Sequence, residues 1–189
     1  VITGASSGLG LASAYRLAET GAELTLVIRD ESKALELKQG IERETGNSRI
    51  HIEIADLSLM AEVDRLVRRL HRVGRPIDVL INNAANDTRM SIEATDETAW
   101  ERAVNVNLRH QFFAARHAAT AMKQRGRGSI INFASVAPEM MIENLSAYSV
   151  CKSAIRGLTR SLARELGGYG IRANSILPGA ILTDRQRAL

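Results

Sequence analysis

The sequence predicts an α/β fold in which a parallel β-sheet carries helices on both faces, a doubly wound arrangement. Two observations support this prediction. Short apolar segments rich in branched residues alternate with longer amphipathic segments along the whole chain. Glycines follow the amphipathic segments, where helices commonly end on a left-handed residue. Strands that alternate with helices form parallel sheets, because each helix returns the chain to the same end of the sheet.

Five apolar segments are short enough, and rich enough in branched residues, to form strands buried on both faces. They cover residues 24–28, 50–54, 79–82, 129–133 and 172–176. Val1 begins in what has the pattern of the end of a further strand, and Leu189 comes soon after a Pro-Gly turn. We therefore expect a longer chain to supply the start of the first strand and a closing strand.

Amphipathic segments predict helices over residues 9–20, 31–44, 59–73, 98–124 and 149–166. The glycines that follow them are Gly21, Gly46, Gly74, Gly126 and Gly167. Asn107 interrupts the fourth helix, and asparagine is unfavourable there because its amide competes with the backbone. This position predicts a local break in the helical ladder that traps a water. No linker or repeat divides the chain, which predicts one Rossmann-type domain over residues 1–189.

Composition narrows the class of protein. The 189 residues carry a net charge of +4, with 45% hydrophobic and 24% charged residues, which are ordinary globular values. Basic and acidic residues are interspersed, which argues against nucleic-acid binding. The single cysteine, Cys151, fits a reducing compartment such as the cytoplasm. No apolar run approaches the roughly 20 residues of a membrane span. The four histidines are scattered without metal-ligand spacing, so we expect no metal.

A glycine-rich segment joins the first strand to the first helix. It reads Thr-Gly-Ala-Ser-Ser-Gly-Leu-Gly over residues 3–10. Glycine allows the backbone to turn sharply and approach a phosphate, and the helix N-terminus offers N–H groups to a pyrophosphate. The spacing differs from the common G-x-G-x-x-G, and a tight strand–helix turn is the alternative. The residues expected to bind a dinucleotide here are Gly4, Ser6, Ser7, Gly8, Leu9 and Gly10.

Three polar residues form a candidate reactive group. Tyr148 and Lys152 are four positions apart, so they share a face of the last predicted helix. An ammonium about 4 Å from the phenol would stabilise the phenolate by on the order of 4 kcal/mol, roughly three pKa units. The phenol would then be suited to acid–base catalysis. Ser135 follows the strand at 129–133, at the edge of the sheet where such folds bind ligands.

Residues 82–85 read Asn-Asn-Ala-Ala after another predicted strand, and small residues there suit a strand end beside a flat cofactor. Together these segments resemble the short-chain dehydrogenase/reductase family. Its pattern combines a Thr-Gly-x-x-x-Gly-x-Gly loop, Asn-Asn-Ala-Gly, a helical asparagine, a serine and Tyr-x-x-x-Lys. The resemblance extends from Val1 to about Thr183 and implies an NAD(P)-dependent enzyme that transfers hydride to or from a hydroxyl or carbonyl carbon. Ala85 departs from the pattern, and its methyl is expected to reshape the cleft near the substrate.

The resemblance also implies residue roles. Tyr148 would be the catalytic acid/base, and Lys152 would hold the nicotinamide ribose and lower the Tyr148 pKa. Ser135 would hydrogen-bond the substrate oxygen, and Asn107 would hold a water in a proton relay. Further cofactor contacts implied by the family are Asp56, Leu57, Asn83, Ala84, Ala85, Pro178, Gly179, Ile181 and Thr183.

Cofactor preference is interpreted from the end of the second strand. An acidic residue there binds the ribose 2′-OH of NAD, whereas arginine suits the 2′-phosphate of NADP. Ile28 stands where NAD enzymes of the family carry Asp, and Arg29 follows it, which favours NADP(H). Ser7 supplies no second basic residue in the glycine loop. Asp30 keeps NAD(H) open, because a small backbone shift could bring its carboxylate to the ribose.

The substrate is less well defined by the sequence. The segments 83–87, 107–113 and 182–187 are similar to those of family members that oxidise aldoses at C1, and Asn86, Asp87 and Asn144 could bind a polyol. An apolar pocket for a fatty or steroid-like substrate could instead be lined by Met140, Met141 and Ile142. Reduction of a ketone or 3-oxoacyl substrate with NADPH is therefore an alternative. A non-catalytic dinucleotide-binding protein on the same fold is a second.

The family resemblance implies a dimer or tetramer, formed through the two long helices that carry Asn107 and Tyr148. Apolar residues on these helices could pair with a second copy or belong to the core. They are Phe112, Phe113, Ala114, Leu158, Leu162 and Leu166.

Overall fold

A computed structural model describes residues 1–183 and contains one six-stranded sheet. Its strands β1 to β6 are Ile2–Thr3, Leu24–Ile28, Ile50–Ile54, Val79–Asn82, Gly128–Phe133 and Ile171–Ile176. All five strand pairs are parallel, and the order is β3-β2-β1-β4-β5-β6. The chain starts in the middle of the sheet and winds outward on both sides. This confirms the predicted doubly wound, single-domain fold, with its topological switch point between β1 and β4.

Helices α1 to α7 of these residues cover Gly8–Glu19, Ala34–Thr45, Met60–Val73, Glu97–Val104, His110–Arg125, Ala137–Met140 and Ser146–Leu166. The predicted helix at 98–124 is divided, because a π-helical segment, Asn105–Arg109, separates α4 from α5. Asn107 lies at its centre, where a break in the ladder was expected. A 3-10 turn, Glu31–Lys33, precedes α2, and the short helix α6 was not predicted.

Gly167 is not the left-handed helix end that the sequence predicted. Its φ is −58°, and α7 continues into a 3-10 turn, Gly167–Tyr169, that ends at Gly170 with φ +71°. A Cβ at Gly170 would also overlap the carbonyl oxygen of Gly126. Glycine is therefore required at residue 170 for both its dihedral angle and its close backbone contact.

The core lies on both faces of the sheet. On one face Leu26 and Ile28 of β2 pack with Ala14 of α1 and Ile41 of α2. Val27 points the other way, into a cluster with α3. A further cluster packs β4, β5 and β6 against α5 and α7. Because both faces are covered, the carboxyl edge of the sheet is the place where a cleft can open. Within residues 1–183, no helix combines the length and apolarity that crossing a membrane requires.

Candidate active site

A cleft of about 630 Å³ runs along the carboxyl ends of the strands. Its lining comes from the glycine loop and from the segments that follow β2, β3, β4, β5 and β6. The structure brings most of the predicted site residues together in it. These are Gly4, Ser6, Ser7, Gly8, Leu9, Arg29, Asp56, Leu57, Asn83, Ala84, Ala85, Ser135, Tyr148, Lys152, Pro178, Gly179 and Thr183. Gly10, Asn107 and Ile181 were predicted with them but do not line the cleft.

The glycine loop is packed tightly against the loop after β4. Gly4 has φ +65°, and a Cβ there would lie 2.7 Å from the Cα of Ala84. Gly10 lies behind the loop, and a Cβ on it would overlap both the Gly4 carbonyl oxygen and Asn83 Nδ2. Gly10 therefore positions the loop from behind and does not contact the cleft itself. The concave surface left by these glycines fits a pyrophosphate, which needs close backbone approach.

The N-terminus of α1 faces this part of the cleft. The helix begins at Gly8, and Ser7 at the N-cap position makes no side-chain cap within the described part of the chain. The first-turn N–H groups of a helix have no partners inside the helix, so they are available to an anion. Thr183 returns to the same place, with its methyl 3.7 Å from where a Gly8 Cβ would lie.

Partly buried hydrogen bonds join β1 and the glycine loop to the loop after β4. The backbone N–H groups of Asn83 and Ala84 both donate to Thr3 Oγ1 at 3.0 Å. Asn83 Nδ2 donates to the carbonyl oxygens of Thr3 and Gly4, each at 3.0 Å. The Asn83 amide therefore holds the glycine loop in place, while Ala84 and Ala85 face the cleft. The exposed methyl of Ala85 stands where the family pattern has glycine.

The residues from which the cofactor preference was predicted lie at the end of the cleft beside β2 and β3. Arg29 and Lys33 both line it and are exposed. The Asp30 carboxylate accepts hydrogen bonds from the Ser32 hydroxyl at 2.6 Å and the Ser32 N–H at 3.0 Å. These bonds lower the Asp30 pKa. Sequence reasoning missed Lys33, although its position four residues after Arg29, at the start of a helix, was a usable signal.

Asp56 and Leu57 lie at the same end, after β3. Asp56 accepts from the Ser58 hydroxyl at 2.7 Å and from the Ser58 N–H at 2.9 Å, and its own N–H donates to Glu62 Oε2. Leu57 is 8% exposed and packs in the α3 cluster. This arrangement gives the cleft a firm wall of backbone and one apolar side chain.

Lys152 is the most deeply buried charged group in the cleft, with 1% exposure. Its Nζ donates to the Phe133 carbonyl oxygen at 2.6 Å and lies 5.6 Å from the centre of the Tyr148 ring. Burial lowers the Lys152 pKa to about 8. Tyr148, one turn earlier on α7, is half-buried and faces the cleft. The sequence-based spacing thus places the ammonium and the phenol side by side.

Ser135 follows β5 and is 9% exposed. Its Oγ accepts a hydrogen bond from the Ala137 N–H at 3.0 Å, at the start of α6. That bond occupies a lone pair of the hydroxyl and leaves its proton available to the cleft. Ser135 lies two residues after Phe133, whose carbonyl oxygen binds Lys152, so Ser135, Tyr148 and Lys152 share one part of the cleft.

Asn107 is fully buried beside this part of the cleft. Its Oδ1 accepts from the Asn86 N–H, and its Nδ2 donates to the carbonyl oxygens of Asn86 and Ala103, all near 3.0 Å. The side chain thus anchors the loop after β4 to the π-helical segment. Its own carbonyl oxygen accepts a 3.3 Å hydrogen bond from Gln111 Nε2.

The substrate-side lining mixes polar, charged and apolar groups. Asn86 and Asp87 line the cleft as expected, and so do Met140 and Ile142. Asn144 and Met141, which were predicted with them, do not line it. Sequence reasoning missed Arg89 and Arg102 in this lining. The part of the aldose-like segment at residues 184–187 lies outside the described residues. Within residues 1–183 no group of three or more His, Cys, Asp or Glu is arranged to hold a metal.

A parallel doubly wound sheet with a glycine loop below a helix N-terminus is the architecture of a dinucleotide-binding protein. Comparison with known proteins defines it further. The family model for short chain dehydrogenase matches residues 1–189. The chain belongs to this family and is an NAD(P)-dependent oxidoreductase.

Individual relatives are similar along nearly the whole chain. The protein named "Probable galactose dehydrogenase GalD" of Rhizobium meliloti (strain 1021) is 40% identical, over all of this chain and 73% of that protein. D-xylose 1-dehydrogenase of Caulobacter vibrioides is 37% identical, over 98% of this chain and 73% of its own. A solved short-chain dehydrogenase from Sphingobium yanoikuyae, in complex with NADPH, has a TM-score of 0.89 and 32% identity. That match covers 97% of this chain and 71% of the other.

Proposed function

We propose that this enzyme transfers hydride between NADP(H) and a hydroxyl or carbonyl carbon of a small substrate, with Tyr148 as the acid/base. The observation that supports this most is the buried Lys152, held by the Phe133 carbonyl one turn from Tyr148. Burying an ammonium in this way is costly for stability, and a cost of this kind is typical of active sites.

In the proposed reaction Tyr148 moves the proton. During oxidation its phenolate takes the proton of the substrate hydroxyl as the carbon–hydrogen bond breaks, and during reduction its hydroxyl returns that proton to the carbonyl oxygen. The Lys152 ammonium stabilises the phenolate and binds the nicotinamide ribose. The Ser135 hydroxyl donates to the substrate oxygen, since its lone pair already accepts from Ala137. The bound nicotinamide supplies or accepts the hydride.

Asn107 has a positioning role in this proposal. Its side chain is engaged by the backbone of Asn86 and Ala103, so the water of the proton relay would be bound by the Asn107 carbonyl oxygen in the π-helical segment. The same segment holds Asn86 against the cleft.

We assign the adenosine end to NADP(H). A guanidinium at Arg29 and an ammonium at Lys33 suit a 2′-phosphate. Asp30 supports this assignment, because its carboxylate is engaged by Ser32 and a ribose 2′-OH would have to compete for it. The NADPH bound by the similar Sphingobium yanoikuyae protein agrees with it. NAD(H) is the alternative cofactor, and turnover measured with both cofactors distinguishes the two.

For the substrate we propose an aldose oxidised at C1, supported by the names of the galactose and xylose dehydrogenases among the relatives. Asn86 and Asp87 in the lining supply acceptors and a donor for sugar hydroxyls. Met140 and Ile142 in the same lining support a second candidate, reduction of a ketone or 3-oxoacyl compound with NADPH.

We further propose that the protein is cytoplasmic and forms a homotetramer. Phe112 on α5 is 47% exposed and Val150 on α7 is 52% exposed, so the two helices present apolar side chains that a second copy could cover. Leu166 is buried in the core and does not contribute to such a surface. Light scattering after size-exclusion chromatography should give four chains, and a monomer at micromolar concentration would overturn this.

The function is tested by assaying aldoses, simple alcohols and ketones with both NADP(H) and NAD(H). We expect turnover with NADP(H), and Tyr148→Phe should lower kcat by about 10³-fold or more while retaining cofactor binding. The matched control is Tyr169→Phe, a half-exposed tyrosine outside the cleft. Undiminished turnover by Tyr148→Phe would disprove the mechanism. A wild-type protein that binds NADPH but turns over no substrate would support the non-catalytic alternative.

A further inference from the structure

The substrate end of the cleft contains two arginines. Arg89 lies in the loop after β4, and Arg102 lies on α4 one turn before Val106, which also lines the cleft. The loop is held in place because the Met90 N–H donates to the Asn144 carbonyl oxygen at 2.7 Å, in the loop before α7. Arg89 is therefore carried by a loop tied to the segment before α7, and Arg102 is carried by a helix that packs against α7.

Few acidic side chains in the cleft balance the positive charges of these two guanidinium groups. Of the acidic residues that line the cleft, Asp30 and Asp56 lie at the adenosine end and accept hydrogen bonds from neighbouring serines. Asp87 lies near the Lys152 ammonium and stabilises it. Arg89 and Arg102 form no ion pair with any other residue among positions 1–183. Among the described residues that line this end, Arg89, Arg102 and Lys152 outnumber the one carboxylate, Asp87.

The lining there also has an apolar part, beside the polar residues Asn86, Asp87, Ser135 and Tyr148. Val106, Met140, Ile142 and Leu145 all face the cleft. A neutral polyol would give the two guanidinium groups no anionic partner. A carbon skeleton that carries one anionic group matches the lining better, because guanidinium groups bind carboxylates through paired, planar hydrogen bonds.

We propose that the substrate carries a carboxylate, which Arg89 and Arg102 bind while the reacting carbon lies at Tyr148. This inference rests on the hydride-transfer function proposed above and names the substrate class of the same site. Two skeletons share the chemistry, a sugar acid such as a uronate and a hydroxylated ring or chain carboxylate. The choice between them is made by experiment.

The test compares neutral and anionic substrates of matched skeleton. One pair is D-galactose and D-galacturonate, and the other is cyclohexanol and 4-hydroxycyclohexanecarboxylate, each with NADP⁺ and NAD⁺. In at least one pair we expect kcat/KM to be about 10-fold or more higher for the carboxylate, mainly through a lower KM. The advantage should shrink as added salt shortens the Debye length below about 10 Å. The pair that shows it identifies the skeleton.

Substitution of the two arginines tests whether they cause the higher kcat/KM for the carboxylate substrate. Arg102→Gln and Arg89→Gln should each reduce the carboxylate-to-neutral ratio of kcat/KM by about 10-fold, or about 1.4 kcal/mol. Arg65→Gln on α3 is the matched control, since it removes one exposed arginine outside the cleft and should keep the ratio. Circular dichroism of each variant checks folding.

Four outcomes would overturn the inference. Turnover of the neutral member with no preference for its carboxylate would leave hydride transfer standing and remove the carboxylate assignment. So would a preference that survives both cleft variants or falls equally in Arg65→Gln. Absence of turnover with every alcohol and ketone tested would overturn the proposed function together with this inference.

Discussion

The two ends of the cleft present different kinds of surface to a ligand. Around the glycine loop of the cofactor end the surface is backbone, and Gly4 and Gly10 are packed against the loop after β4 with almost no free space. Thr3 and Asn83 join the two loops by hydrogen bonds of 3.0 Å. At the substrate end the surface consists of side chains on loops and on α4, and Met140 and the arginines there are exposed.

This difference explains why the two ends differ in how well a sequence predicts them. A backbone surface tolerates few residue types, because an added Cβ would fill it. A surface of projecting side chains tolerates many, and its chemistry changes with each one. The cofactor end therefore defines the enzyme class, whereas the substrate end determines specificity within the class.

In the comparison of the two ends, the largest effect is expected from filling the backbone surface. In Gly10→Ala the new methyl would overlap the Gly4 carbonyl oxygen and Asn83 Nδ2, so the loop would have to move. Overpacking against backbone costs about 3 kcal/mol, and the same energy expressed in binding is roughly 100-fold. We expect NADPH affinity, measured by fluorescence titration, to fall by about that factor, with a matching loss of stability to urea.

Gly157→Ala is the control for this substitution. Gly157 lies within α7, and a Cβ there meets no atom within 4 Å. Alanine should therefore stabilise the helix by about 0.5–1 kcal/mol and leave NADPH binding unchanged. Equal tolerance of both alanines would show that the cofactor end is not defined by its backbone packing.

Sequence-based prediction was likewise accurate for some features of the molecule and not for others. The strands at 24–28, 50–54 and 79–82 have the predicted bounds, because short segments rich in branched apolar residues have distinctive ends. The four-residue spacing of Tyr148 and Lys152 sufficed to bring them together, since a helix converts spacing directly into proximity.

Features that depend on tertiary contacts were not predictable. Gly167 has the expected spacing for a helix end, yet Gly170 takes the left-handed conformation because it alone packs against the Gly126 carbonyl. The role of Asn83 in holding the glycine loop needs the β1–β4 pairing. Arg89 and Arg102 reach the cleft only because the long loop after β4 returns to it.

The second prediction concerns the side chains at the adenosine end. Arg29→Ser should lower the ratio of kcat/KM for NADP⁺ over NAD⁺ by about 10- to 100-fold, since a hydrogen bond to a charged group contributes about 1.5–3 kcal/mol. Lys33→Ser should have a smaller effect, because a lysine binds phosphate through a single point charge. Steady-state kinetics with both cofactors measures the ratio.

Arg43→Ser is the charge-matched control, as Arg43 is exposed on α2 and lies outside the cleft. A cofactor ratio that stays constant in Arg29→Ser and Lys33→Ser would remove the 2′-phosphate assignment. It would then favour NAD(H) and a role for Asp30.

The smallest effect is expected where the two ends meet, at Lys152. Its pKa is lowered to about 8 in the folded protein by burial, from an ordinary value of 10.5. Between these two values the unfolded chain binds more protons than the folded one, so this lysine makes stability rise with pH. The buried ammonium is fully unfavourable below pH 8 and is relieved as the pH increases.

Between pH 8 and 9.5 we therefore expect the free energy of unfolding of the wild type to gain about 1–2 kcal/mol relative to Lys152→Met. Over the same range kcat/KM of the wild type should fall, because loss of the ammonium removes the charge that stabilises the Tyr148 phenolate. Urea unfolding of both proteins across the pH series measures the first effect. If the free energies of unfolding of the two proteins changed in parallel with pH, Lys152 would be neutral or solvated in the folded protein. The region where the two ends of the cleft meet would then contain no buried charge.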